Sequence, residues 1–138
     1  MPVWIHTEAA CHANDAVHRS VLTLHVASRF WDRLRGLHAY PRLPENTGLH
    51  LMSCSAIHTF GMSYAIDVIF LDHLFNEVRL VNAMPSNRMA FCLKAASVVE
   101  LPAGYCRSHP GYLETVRQAL HLSSAPRSRE LSGRANPV

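Results

Sequence analysis

Residues 20–27 read SVLTLHVA, with Leu22, Leu24 and Val26 on one side and Val21, Thr23 and His25 on the other. That two-residue period predicts a half-buried strand. In SRFWDRLRGLHAYP the period lengthens to that of a helix, through Phe30, Leu34 and Leu37. Ser28 stands where a cap belongs and Asp32 near the positive end, so a short helix is expected over 28–38, ended by Pro41. From 48 to 101 the runs GLHLMS, AIHTF, AIDVIFLD, EVRLVNAM and AASVVELP are β-like, separated by the turn-prone pieces PENTG, DHLFN and PSNR. Short strands without regular strand–helix alternation predict a mainly β domain, a small antiparallel barrel or sandwich with one short helix near the N-terminal strand. The later stretch HPGYLETVRQALHL fits either a last strand or a helix presenting Tyr112, Val116 and Leu120 on one face.

This pattern divides the chain into an N-terminal extension (1–19), one domain (20–122) and a polar, aperiodic tail (123–138) expected to be disordered. With 138 residues and 49% hydrophobic content, the domain can bury a core without staples. The net charge of +3 is carried largely by the tail, where Arg127, Arg129 and Arg134 stand against Glu130. The domain itself is close to neutral, and its arginines are scattered singly, which speaks against nucleic acid as a partner. The N-terminus lacks the features of a signal peptide and no run of eighteen apolar residues occurs, so no membrane span and a cytoplasmic setting are expected. Cys11, Cys54, Cys92 and Cys106 form no C-x-x-C pair, and reduced thiols are expected.

Four segments in order, RLRGLHAYP, CSAIHTFGMSY, AIDVIFLD and VVELPAG, resemble the domain of unknown function 192 family of uncharacterised proteins. Arg33, Gly36 and Leu37 match its first motif, His58, Thr59 and Met62 the second, Asp67, Phe70 and Asp72 the third, and Glu100, Ala103 and Gly104 the fourth. The resemblance covers roughly residues 20 to 120. It implies a compact, mostly β domain of jelly-roll-like barrel type, and no particular reaction. Three positions depart from the family pattern. His38 stands where a methionine is usual, the HLFNE turn is about one residue longer and puts Asn76 where a left-handed residue is expected, and Gly111-Tyr112 replaces Gly-Asp, removing a carboxylate.

Asp67 carries the main chemical question. On a strand it shares a face with Ile69 and Leu71, and a carboxylate buried without partners costs several kcal/mol (roughly). Arg33, Arg35, Thr59 and backbone amides are the candidate donors, making Asp67 a clamp between elements; the functional alternative is a general base or ligand anchor. Lying between Ile57 and Phe60, His58 reads as a core or rim histidine, or as a base oriented by Asp67. Cys54 lacks a nucleophile elbow or a helix N-terminus to activate it. His50, Cys54 and His58 would share a helix face, but on a strand four residues span roughly 13 Å, too far for one metal. No metal site and no cofactor are expected. Arg88, in the loop opened by Pro85, could meet an anion, and Glu100 is expected to cap the turn before Gly104, a position suited to a left-handed backbone.

The candidate binding set is therefore Arg33, Thr59, Asp67, Asp72 and Arg88, in the groove between the helix, the IHTF segment and the Pro85 loop. The function expected is a non-catalytic accessory β domain holding a small ligand or a protein partner. The alternative is a small hydrolase-like enzyme using His58 and Asp67.

Overall fold

The computed structural model of the protein describes residues 21–27 and 42–124. Seven strands and two helices follow one another: β1 (Thr23–Ala27), β2 (Thr47–Met52), β3 (Ala56–His58), β4 (Ile66–Leu71), β5 (Glu77–Met84), β6 (Met89–Phe91), β7 (Ser97–Pro102), α1 (Tyr105–Ser108) and α2 (Tyr112–Ser124). Five strands form one sheet in the order β1-β2-β7-β4-β5, while β3 and β6 pair in a second. The fold is mainly β, as expected, but the larger sheet is open, with β1 and β5 as its outer strands among the described residues. It is also mixed: β1 runs parallel to β2, and the remaining pairs are antiparallel. The 28–46 connection between the two strands is long enough for the crossover that a parallel pair requires, where a hairpin would need only a tight turn. The helix expected over 28–38, and with it Arg33, lies outside the described residues.

Strand β4 shows why this sheet can be covered on both sides. Ile66, Val68, Ile69, Phe70 and Leu71 are completely buried. Each such side chain is worth about 1.5–3 kcal/mol relative to exposure. Val68 and Phe70 join Leu49, Leu51 and Val98 in a core beneath β3 and β6, whose Ile57 and Ala90 point inward. Ile69 and Leu71 join Leu24, Val99 and Leu101 in a second core beneath the helices, filled by Tyr105, Val116, Ala119 and Leu120. The segment left open by its pattern is thus helical, and its apolar stripe includes Val116 and Leu120. Ser123 and Ser124, assigned to the tail by composition, close α2. Gly48 fits its place for a packing reason. A Cβ there would stand 2.6 Å from a Leu101 methyl, 2.8 Å from a Leu24 methyl and 2.9 Å from the Glu100 carbonyl oxygen.

Candidate functional site

Asp67 is fully buried on the helix-covered face of β4. The register between β4 and β5 slips here: Ile66 pairs with Met84 but Val68 with Val81, leaving an extra residue on β5. The bulge turns Ala83 into a left-handed conformation (φ 45°), costly for any residue with a Cβ. It also aims the Ala83 amide at Asp67, donating to Oδ1 at 2.8 Å. Gly104 N donates to the same oxygen at 3.0 Å and Cys106 N to Oδ2 at 2.9 Å. Gly104 adopts φ 83°, the left-handed backbone expected of it. Three amides from two segments therefore converge on one carboxylate, binding β5 and the start of α1 to the centre of the sheet. Burial first, then the neighbouring Asp67, pushes the Cys106 thiol up to about 12, so it is no thiolate at neutral pH. The outer side of the same turn borders a shallow depression of about 360 Å³ lined by Glu45, Asn46, Pro102, Ala103, Tyr105, Ser108 and His109. There the Tyr105 and His109 rings stack at 4.1 Å.

Thr59 serves a second junction. Its buried hydroxyl donates to the Pro85 carbonyl at 2.7 Å and accepts from Arg88 N at 3.0 Å. Its own amide donates to the Arg88 carbonyl at 2.9 Å, and Asn87 N donates to its carbonyl at 2.9 Å. The IHTF segment and the Pro85–Arg88 turn are thereby locked together at one end of the small sheet. Asp72 organises the β4–β5 turn, accepting from Leu74 N at 2.8 Å, Asn76 N at 2.9 Å and the Asn76 side chain at 3.1 Å. The Asn76 amide, ahead of the other donors, holds the Asp72 carboxyl below its usual range. The left-handed residue in this turn is Phe75 (φ 60°), where Asn76 was expected. Arg117 of α2 stabilises it, donating to the Phe75 carbonyl at 3.1 Å and to Asn76 Oδ1 at 2.9 Å.

These placements separate the candidate residues. His58 is exposed on β3, its ring stacked on Phe60 at 5.2 Å, on the far side of the central sheet from Asp67. The structure does not bring them together. Arg88 is exposed at the rim of the small sheet, one guanidinium nitrogen donating to the Asn87 carbonyl at 3.1 Å. Among the described residues no group of three or more His, Cys, Asp or Glu side chains could hold a metal. Cys92 and Cys106 are free thiols, and the Cys54 thiol donates to the Ala56 carbonyl at 3.0 Å.

Buried polar atoms that the sequence reading did not anticipate lie on β2 and β7. Glu100 does not cap the turn: it lies within β7, opposite Leu49 and Val68, facing the core under the small sheet. Among the described residues its Oε2 has no hydrogen-bond partner, and burial pushes its carboxyl up to about 8. The Tyr64 phenol is raised by burial and then by Glu100. The alternation of Val98 and Glu100 in AASVVELP was the available signal for this inward placement. On the opposite face, His50 Nε2 and Ser97 Oγ are also without a partner among the described residues, and burial lowers the His50 imidazole. At the helix end, Tyr112 donates to Glu77 Oε2, so the position that lacks the family carboxylate reaches one on β5.

The outer face of the small sheet exposes large apolar side chains. Met89 and Phe91 on β6 are 66% and 63% exposed, paired with His58 and Ala56 on β3. Phe60 and Leu93 are exposed in the flanking segments, so four of the nine exposed large hydrophobics of the described residues lie on or beside this face.

A mixed five-stranded sheet, helices on one side and a two-stranded sheet on the other, defines this as a layered, mainly β domain. The chain belongs to the domain of unknown function 192 family (DUF192), described as an uncharacterized ACR, whose profile matches residues 11–110. No curated protein matches the sequence. Among solved structures it is similar to a protein of unknown function from Novosphingobium aromaticivorans DSM 12444, with a TM-score of 0.56 and 12% identity over 62% of this chain and 66% of that one. The match thus spans slightly less than two thirds of that protein. A putative transcription regulator from Sinorhizobium meliloti 1021 gives a TM-score of 0.57 and 14% identity over 62% of this chain and 71% of that one. At these identities the likeness is one of fold. No helix among the described residues is long and apolar enough to cross a membrane.

Proposed function

We propose that this protein is a non-catalytic accessory domain that binds a partner, with the outer face of β3 and β6 as its contact surface. One observation carries the reading: four of the nine exposed large hydrophobics of the described residues, Phe60, Met89, Phe91 and Leu93, lie on or beside the one surface whose end is fixed by Thr59, while Thr59, Asp67 and Asp72 bond to the protein's own backbone. Large contiguous apolar exposure on a folded domain marks an interaction site. The motif side chains, in this reading, set the shape of that surface and touch no substrate. Asp67 is the keystone of the helix-covered side, and His58 contributes a ring to the apolar strip through its stack with Phe60.

The test uses the dye 8-anilinonaphthalene-1-sulfonate with the full chain in its native state. Met89→Ser and Phe91→Ser should each lower the dye's fluorescence enhancement by at least about threefold without moving the far-ultraviolet circular dichroism or Tm. Leu122→Ser, at an exposed position of α2, should leave it unchanged. Equal effects at all three sites, or no dye binding by the folded wild type, would remove the surface from consideration.

A further inference from the structure

The contact surface has a charge pattern as well as an apolar one. The segments that build and flank it, residues 52–64 and 84–96, contain Arg88 and Lys94 and no Asp or Glu. Both cations are exposed, and in sequence they bracket the apolar strip formed by Met89, Phe91 and Leu93. A third, Arg79 of β5, borders β6 by donating to the Phe91 carbonyl at 2.6 Å, with its guanidinium carbon 5.8 Å from the centre of the Phe70 ring. The acidic side chains of the described residues lie elsewhere: Asp67 and Glu100 are buried in the central sheet, and Glu45, Asp72, Glu77 and Glu114 belong to turns or strands of the larger sheet and to α2.

We infer that this face receives an acidic, apolar segment of a partner protein, with Leu- or Phe-type side chains against Met89 and Phe91 and carboxylates toward Arg88 and Lys94. The inference rests on the reading of this face as the contact surface and adds the chemistry of the occupant. Charge complementarity selects it. A second copy of the chain docked through the same patch about a twofold axis would bring Arg88 and Lys94 against their own counterparts, like charge against like. A lipid surface is the weaker match, because electrostatic recruitment to anionic membranes uses clusters of roughly four to eight Lys or Arg. Methionine, phenylalanine and arginine are the residue types enriched in protein–protein contacts.

The experiment measures fluorescence anisotropy of a labelled twelve-residue peptide alternating Leu or Phe with Asp or Glu, against the same peptide with Lys at every acidic position, using the full chain. The acidic peptide should bind at least about tenfold more tightly than the basic one, and this preference should shrink in 0.5 M salt (about). Arg88→Glu combined with Lys94→Glu should weaken the acidic peptide by at least about tenfold and favour the basic one, and Phe91→Ser should weaken both. Lys94→Glu alone, in an exposed turn, keeps the charge test available should the double variant fold poorly. Equal binding of both peptides that is still lost in Phe91→Ser would overturn the acidic occupant and leave the contact surface standing. No peptide binding, together with dye fluorescence unaffected by Phe91→Ser, would overturn both. Tighter association with vesicles of one part phosphatidylglycerol to three of phosphatidylcholine (about), or self-association at micromolar concentration abolished by Phe91→Ser, would overturn the protein-segment occupant in favour of lipid or a second copy.

Discussion

Each face of the central sheet buries one carboxyl group, and the two are treated in opposite ways. On the helix-covered face Asp67 accepts from three backbone amides within 3.0 Å. On the face under the small sheet Glu100 keeps an oxygen without a partner among the described residues, and burial raises its carboxyl to about 8. One acid is a junction between segments, and the other is held in the core by the strand that carries it. The difference teaches that a buried acid's role is set by how many backbone donors the surrounding turns can aim at it, rather than by burial itself.

The contrast is broken most directly at Asp67. Asp67→Ala removes the acceptor of three converging amides, one of them buried and two partly buried, and should cost about 3–5 kcal/mol in urea denaturation. Asp67→Asn should cost less, since one oxygen remains, but its NH₂ group faces an amide donor. A loss below about 1 kcal/mol in both variants would mean that the junction contributes no more than an ordinary hydrogen bond.

Glu100 should act through pH. The folded chain holds its proton up to about pH 8, whereas the unfolded chain releases it near the ordinary value of 4.5. Between these values the folded state binds the extra proton, so stability falls as pH rises, by at most about 1.4 kcal/mol per unit. Glu100→Gln should flatten that slope in denaturation curves taken from pH 5 to 9 (about) and raise stability at the alkaline end. An unchanged slope would show that Glu100 has a partner in solution.

Smaller effects sharpen the same comparison. Thr59→Val removes the hydroxyl that joins Pro85 and Arg88 and should cost about 1–3 kcal/mol. His50, lowered by burial, stays neutral in the fold while the unfolded chain takes up a proton below its ordinary 6.5. Its contribution is therefore lost as pH falls, opposite in sign to that of Glu100, and His50→Phe should reduce the acid-side decline. The smallest change is expected at the exposed Lys94, where Lys94→Glu should alter stability by less than about 0.5 kcal/mol.

Much of the scaffold was legible because strands have a period of two. That period placed Asp67 on the same face as Ile69 and Leu71, where they share the helix-side core. The same logic applied to AASVVELP places Glu100 on the face of Val98, yet its neighbours Pro102, Ala103 and Gly104 suggested a turn instead. The Asp67 donors were less legible. Backbone amides were among the candidates, but the Ala83 amide turns inward only because a β5 bulge forces an alanine to positive φ, and nothing in EVRLVNAM signals a bulge. Phe75 rather than Asn76 takes the left-handed position for a related reason: the hydrogen bonds to Asp72 and Arg117 decide that turn, against the residue's own preference. The parallel β1–β2 pair depends on a crossover whose course local pattern does not encode.

The β5 bulge also bears on how the protein behaves when crowded. An outer strand of eight residues would offer its open hydrogen-bonding edge to any passing chain, a standing invitation to fibril-like stacking. Because the ladder slips at Asp67 and again near Leu71, that edge is kinked twice, and a flat intruder finds no continuous register to extend. The bulge that delivers an amide to a buried acid thus also protects the molecule against pairing edge to edge with its neighbours.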